Sequence, residues 1–389
     1  MRTSRREFLV GLSLLSAAGL TGSFPVIARA AEIPDNRYLM VGSGTSICAI
    51  NLKNRQVHSV PVGFLGHGFV QNPLRPERVW AIEKWGRAAV EIDFKKGEVS
   101  QRMTCPETAA YFGHGFFAPE GNVLYIVQTD LLTGLGHLIG YDNGTFAQVR
   151  DYQVTPGALH DCHLLPDQTF LVVSHGSTMT IGPNKEHKYQ PMLENSSLMR
   201  FDPRTNKVVD KKSIEDKDQI LAHFAVTQNG SLIAIGLPRP ETDPTLPTDP
   251  LNPGNVDLKH GGAVYFGGLD EPGLRRVVLP DDVKVKLRGE VLSIAVDEAA
   301  HLAAVTNPAS KTVLFIDLTN GIYIGQIGAD AYGISYDPVM KEYLCSGGKI
   351  SGIPDNRKDV SPFPVKTMTG EDFPNPFTGG HNTILEMTI

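Results

Sequence analysis

The four residues Gly66-His67-Gly68-Phe69 return as Gly113-His114-Gly115-Phe116, and each copy opens an apolar run bounded by turn residues. A repeat constrains a chain strongly, because every copy has to form one supersecondary unit and bury its faces against the neighbouring copies. The first copy continues into Arg78-Val79-Trp80-Ala81-Ile82-Glu83 and then Ala88-Ala89-Val90-Glu91-Ile92-Asp93. The second continues into Val123-Leu124-Tyr125-Ile126-Val127 and then His137-Leu138-Ile139-Gly140-Tyr141-Asp142. Weaker copies open at His163-Leu164-Leu165-Pro166-Asp167, His223-Phe224-Ala225-Val226, Val291-Leu292-Ser293-Ile294-Ala295 and Tyr332-Gly333-Ile334-Ser335-Tyr336. His67 and His114 are 47 residues apart, His114 and His163 are 49 apart, and His163 and His223 are 60 apart. A unit of roughly 40 to 50 residues with four short strands is the signature of a β-propeller blade.

The expectation is therefore an all-β chain. From Arg37 the pattern begins partway through a unit: Tyr38-Leu39-Met40-Val41-Gly42, Ile47-Cys48-Ala49-Ile50-Asn51-Leu52 and Gln56-Val57-His58-Ser59-Val60 align with second, third and fourth strands. The missing first strand is expected from Asn382-Thr383-Ile384-Leu385-Glu386-Met387, since joining both chain ends in one blade removes an exposed edge. Six openings plus this split unit predict a seven-bladed β-propeller, with six blades as the alternative. Three insertions, at 176–195, 237–262 and 353–381, are expected to be loops because their prolines remove strand donors. No helix is expected after the first thirty residues.

Hydrophobic residues make up 41% of the chain and charged ones 20%, enough apolar surface for a large core. The net charge of −6 and the absence of a basic stripe argue against a nucleic-acid partner. Ser4-Arg5-Arg6-Glu7-Phe8-Leu9-Val10, the apolar run to Leu20 and the small-residue site Ala28-Arg29-Ala30 read as a twin-arginine export signal over 1–30. The run is shorter than the ~20 residues a spanning helix needs, so no transmembrane anchor is expected after cleavage. The mature propeller, 31–389, is expected in the periplasm, and export of an already folded protein suits one that loads a metal first. The cysteines Cys48, Cys105, Cys162 and Cys345 lie far apart, without a Cys-x-x-Cys pair, and read as single buried residues.

His67, His114, His163 and His223 occupy the same place in four units, at the start of the innermost strand. Equivalent positions on successive blades converge on one mouth of the axial channel, and imidazoles meeting there form the ligand set of a metal site. An all-imidazole set with no thiolate points to copper or iron. His160, in Leu159-His160-Asp161-Cys162-His163, is a further ligand candidate, and Asp161 a second ligand or an acceptor behind one. The competing reading makes these histidines blade-to-blade hydrogen bonders, like the histidine of WD-type repeats. Glu83, Asp130, His175 and Glu290 are weaker candidates near loop ends. No Ser-His-Asp order, phosphate loop or dinucleotide fingerprint is present.

With its His-Gly-x-Phe module, Leu124-Tyr125 followed by Asp130, the Leu159-His160-Asp161-Cys162-His163-Leu164 segment and the openings at His223 and Val291, the chain resembles a family of exported bacterial propellers of unknown function. That family is often encoded beside imelysin-type iron-uptake lipoproteins and di-haem peroxidase-like proteins. More distantly the chain is similar to the quinoprotein amine dehydrogenase heavy chain and to YVTN-type propellers. The resemblance implies a periplasmic accessory protein of iron or metal uptake, with an iron-uptake protein as partner. The alternative expectation is a copper- or iron-dependent periplasmic oxidoreductase.

Overall fold

The apolar runs fold as antiparallel sheets that follow the repeat. The computed structural model describes residues 33–155, 157–181, 187–189, 194–238, 248–249, 252–255, 261–347, 365–369 and 380–389. Seven strands carry the repeat's opening position: β1 Gly66–Gln71, β2 Ala109–Phe117, β3 Leu159–Leu164, β4 Gln219–Val226, β5 Ile294–Asp297, β6 Gly333–Asp337 and β7 Asn382–Glu386. Three further strands follow each of β1 to β5. The sets headed by β1 and β2 are joined where Lys84 pairs with Phe112 and Gly86 with Tyr111. β6 is followed by Glu342–Gly347, which Val365–Thr369 joins in parallel.

β7 pairs antiparallel with Arg37–Ser43, setting Leu39 opposite Ile384 and Met40 opposite Thr383. Ser46–Asn51 and Val57–Pro61 complete that sheet. The C-terminal strand thus opens the sheet whose other strands come from the start of the described chain, as the missing first strand required. Neighbouring opening strands touch in turn from β1 to β7, and β7 touches β1.

Successive residues of a strand point to opposite faces, and here both faces are buried against another sheet. Met40 and Tyr38 pack with Val79, Ala81 and Val90 on one side. Leu39 and Val41, one residue out of phase, pack with Leu344 on the other. Trp80 and Ile82 likewise face Tyr111, Ile126 and Tyr141, with Trp80 only 1% exposed. The same apolar layer recurs between each pair of successive sheets. Near-continuous apolar runs are what such two-sided burial demands. All four cysteines are free and buried within these layers or at their edges.

Two of the insertions contain ladders where irregular loops were expected. Met179–Ile181 pairs with His187–Tyr189, and Thr248–Asp249 with Asn252–Asn255. In a two-stranded ladder every strand is an edge, so Pro253 forfeits no central hydrogen bond. The third insertion supplies Val365–Thr369 to the β6 sheet; the rest of the three insertions lies outside the described residues. A single helical turn, Asp281–Lys284, forms after Pro280 with Asp281 and Asp282 in its first turn, a length too short to leave an apolar periodicity in the sequence. Among the described residues no helix is long and apolar enough to cross a membrane.

Arg37 clamps the shared sheet to its neighbour. Its guanidinium reaches both carboxylate oxygens of Asp337 at 3.0 and 3.3 Å and Glu386 at 2.7 Å. Asp337 is fully buried and Arg37 is 6% exposed, whereas the Glu386 side chain is 62% exposed. Removing one partner of a buried pair strands the other charge, so Asp337→Ala is expected to cost about 3–5 kcal/mol. Glu386→Gln is expected to cost no more than about 1 kcal/mol, because solvent screens that contact. Equilibrium urea unfolding of the two variants checks the ranking.

Candidate functional site

A regular inner strand would send its side chains alternately to the two neighbouring sheets. Each histidine-bearing strand breaks that alternation at its histidine. Register shifts fall between Gly66 and Gly68, Tyr111 and Gly115, Leu159 and Cys162, and Leu221 and His223. The ladders that β5 and β6 make with their following strands run without a shift. A bulge inserts unpaired residues and re-aims side chains: His67, His114 and His160 are themselves unpaired, in β4 the unpaired residue is Ala222 beside His223, and all four imidazoles turn toward one space. The adjoining glycines permit the close approach. A Cβ on Gly68 would overlap the Gly113 carbonyl, and one on Gly113, at φ +92°, would overlap the His67 ring.

One nitrogen from each of these four imidazoles lies within 4.8 Å of those of the other three. Ring centroids are 4.8 Å apart for His67 and His114, 4.9 Å for His114 and His223, and 4.7 Å for His160 and His223. His381, immediately before β7, brings a fifth ring to 4.4 Å from His67 and 4.3 Å from His223.

Three of the rings are held through Nδ1. That atom of His114 is 3.2 Å from Asp161 Oδ1, that of His160 is 3.0 Å from His175 Nε2, and that of His381 is 3.2 Å from Ser293 Oγ. The Nε2 atoms of His67, His114, His160, His223 and His381 are buried and have no hydrogen-bond partner among the described residues. A neutral ring that donates from Nδ1 keeps its lone pair on Nε2.

Burial holds the rings neutral. It drives His67, His160 and His381 well below the ordinary histidine range, and His114 and His175 down to about 3. The positive charge of Lys84, and the charge that a neighbouring ring would gain on protonation, push the same way. Lys84 itself lies 4.4 Å from the centre of the Trp85 ring, and burial lowers its pKa against the opposing pull of Glu290. Asp161 stays ionised: burial raises its pKa, but the imidazoles of His114, His163 and His223 around it outweigh that. Its oxygens are also 3.5 Å from His163 Nε2 and 3.6 Å from His223 Nδ1.

His67, His114 and His223 meet as their spacing predicted. From the third unit the inward ring is His160 rather than His163. The bulge between Leu159 and Cys162 turns His160 inward, leaving His163 48% exposed against Phe224, with its ring centroid 4.5 Å from that of the phenylalanine. His175 backs His160, and Glu290 comes within 3.9 Å of His223 Nε2. Glu83 and Asp130 instead accept backbone N–H groups, from Ala88 and from Leu132 and Thr133. His381 and Lys84 went unnoticed in the sequence; Gly380-His381 repeats the Gly-His pair of the first two units and was the available signal.

A cavity of about 660 Å³ adjoins the cluster. His114, Asp161, His163, His223 and His381 line it, and residues of all seven opening strands contribute to its wall.

Residues 60–243 match a family described as "Protein of unknown function (DUF1513)", a segment that contains His67, His114, His160 and His223. No curated protein sequence matches the chain. Among solved structures it is similar to Kuenenia stuttgartiensis hydrazine synthase, at 12% identity and a TM-score of 0.60 over 85% of this chain and 96% of that one. It is also similar to the β-propeller domain of Myceliophteria thermophila Cps50 (Swd1), at 10% identity and a TM-score of 0.54 over 80% and 89%. At such identities the likeness concerns fold alone, and it makes this an all-β chain with β-propeller neighbours.

Unfolded histidines titrate near ~6.5, whereas His114 and His175 in the fold titrate at about 3. Between those values the unfolded chain binds more protons, so stability rises with pH. The metal-free protein is expected to retain this contribution above about pH 6.5 and to lose it progressively as the pH falls toward 3. Urea midpoints that stay constant from about pH 7.5 to about 4.5 would contradict buried neutral rings.

Proposed function

We propose that this protein is an exported, seven-bladed propeller that binds a transition-metal ion among imidazoles from five of its blades and serves metal uptake as an accessory protein. The observation that carries the reading is the set of buried Nε2 atoms, unpartnered among the described residues, on five rings of which three are already oriented through Nδ1. Such orientation by an outer carboxylate, imidazole or hydroxyl is the pattern that prepares histidine ligands. Simple blade-to-blade hydrogen bonders would be expected to satisfy the same atoms. Imidazole–metal bonds are ~2.0–2.1 Å, so nitrogens on one ion lie at most about 4.2 Å apart. The 4.8 Å limit of the cluster is a small side-chain adjustment away.

His67, His114, His160 and His223 would hold the ion, with His381 beside them. Burial keeps His67, His114 and His160 neutral, as a metal requires, and the chemistry of the set suits copper, iron or zinc. The seven-blade count is supported by the seven opening strands, their contacts in a closed series and the cavity they line together. Export rests on the twin-arginine signal, and a link to iron acquisition rests on the family resemblance alone. A second reading, an oxidoreductase, draws support from the cavity: an ion there would have an accessible side with Asp161 next to it, and a redox-active metal would supply electron transfer.

Protein recovered after export into a bacterial periplasm and analysed by inductively coupled plasma mass spectrometry is expected to carry about one ion per chain. His114→Ala or His223→Ala is expected to lower occupancy on the order of tenfold or more, while His163→Ala leaves it near the parent value. A protein that stays metal-free with copper, iron and zinc, yet loses thermal stability in the same variants, would return these rings to a purely structural role.

A further inference from the structure

We infer that the cavity beside the histidine cluster is the route by which a metal ion enters, and that His163 and Asp161 form an outer station that takes the ion from water and hands it to His114 and His223. The inference rests on the metal-binding reading proposed above and adds its point of entry. The cavity, about 660 Å³, is lined by His114, His223 and His381 of the cluster and also by Asp161 and His163. Exposure separates these groups. The side chain of His163 is 48% exposed, that of His114 12%, and those of Asp161 and His223 6% and 4%. An ion arriving from water therefore meets His163 before it meets His114 or His223.

Asp161 joins the exposed ring to the buried ones. Its Oδ1 lies 3.5 Å from His163 Nε2 and 3.2 Å from His114 Nδ1, and its Oδ2 lies 3.6 Å from His223 Nδ1. Bonds of ~2.0–2.2 Å at a tetrahedral angle set two donors ~3.4 Å apart, so the spacing of Asp161 and His163 suits one shared ion. The charge on the wall agrees. Asp161 is its one carboxylate, and no lysine or arginine borders the cavity among the described residues. Lys84 and Glu290, the other charged groups at the cluster, do not line it and attract each other. A cleft whose fixed charge is a carboxylate draws in cations. Burial pulls the His163 pKa down and Asp161 lifts it above the ordinary histidine value, so an ion seated at this pair displaces a proton from the ring.

Stopped-flow mixing of the metal-free full chain with copper(II), followed by the visible absorbance of the imidazole complex, tests this. His163→Gln keeps much of the bulk and polarity of the side chain and removes its metal-binding nitrogen. It is expected to slow loading about tenfold. Release to EDTA is expected to slow by the same factor, with final occupancy near that of the parent, because an entry station alters both rates and leaves the equilibrium alone. His137→Gln changes another histidine–aspartate pair, 2.7 Å from Asp151 and off the cavity, and is expected to change neither rate. Parental loading in His163→Gln, equal slowing in His137→Gln, or slower loading matched by lost occupancy would each overturn the inference. A chain that takes up no copper, parent included, removes the metal reading and the inference together, whereas full occupancy reached at parental rates in His163→Gln removes the inference alone.

Discussion

The feature on which the site depends is a break in strand pairing, placed at the same position of four inner strands. A regular ladder would spend these imidazoles in the layers between sheets, where Met40, Trp80 and Ile82 sit. A bulge of one to three unpaired residues at or beside each histidine breaks the alternation and sends the ring to the centre. The glycines next to the histidines follow from the same demand, because neighbouring bulged strands come too close for a side chain at Gly68 or Gly113.

Bringing several buried imidazoles together has a chemical result that single histidines lack. Each ring raises the cost of protonating the others, and Lys84 adds its own charge from the same neighbourhood. The cluster is therefore a store of lone pairs. Asp161 is the compensating anion: it lies beside His114 and His223 of the cluster and beside the outlying His163, while also facing the cavity. One carboxylate thus couples the orientation of His114 to the chemistry of whatever enters beside it.

Much of this was legible in the sequence, and the failures are instructive. The repeat of Gly-His-Gly-Phe marked both the sheet module and the convergence of His67 and His114, because bulge glycines and histidine travel together as a local motif. The pairing of β7 with Arg37–Ser43 was legible from a missing first strand. The choice between His160 and His163 was not, since a bulge shifts phase by less than the spacing uncertainty between weak repeats. His381 was hidden by the Pro- and Gly-rich stretch before it, which reads as a loop and masks the Gly-His pair at its end. Lys84 carried no signal, because its neighbours in space come from other sheets. The short ladders inside two insertions were missed because proline was weighed as if every strand were central.

His381 immediately precedes β7, the strand that pairs with Arg37–Ser43, and its ring joins the others from there. A chain that lacks the segment from His381 to Glu386 can bring at most four of the five imidazoles together, because the fifth arrives only with the strand that pairs with Arg37–Ser43. Completion of the histidine set is consequently tied to joining two segments more than three hundred residues apart, so a polypeptide truncated before His381, whatever sheets it forms, has an incomplete centre.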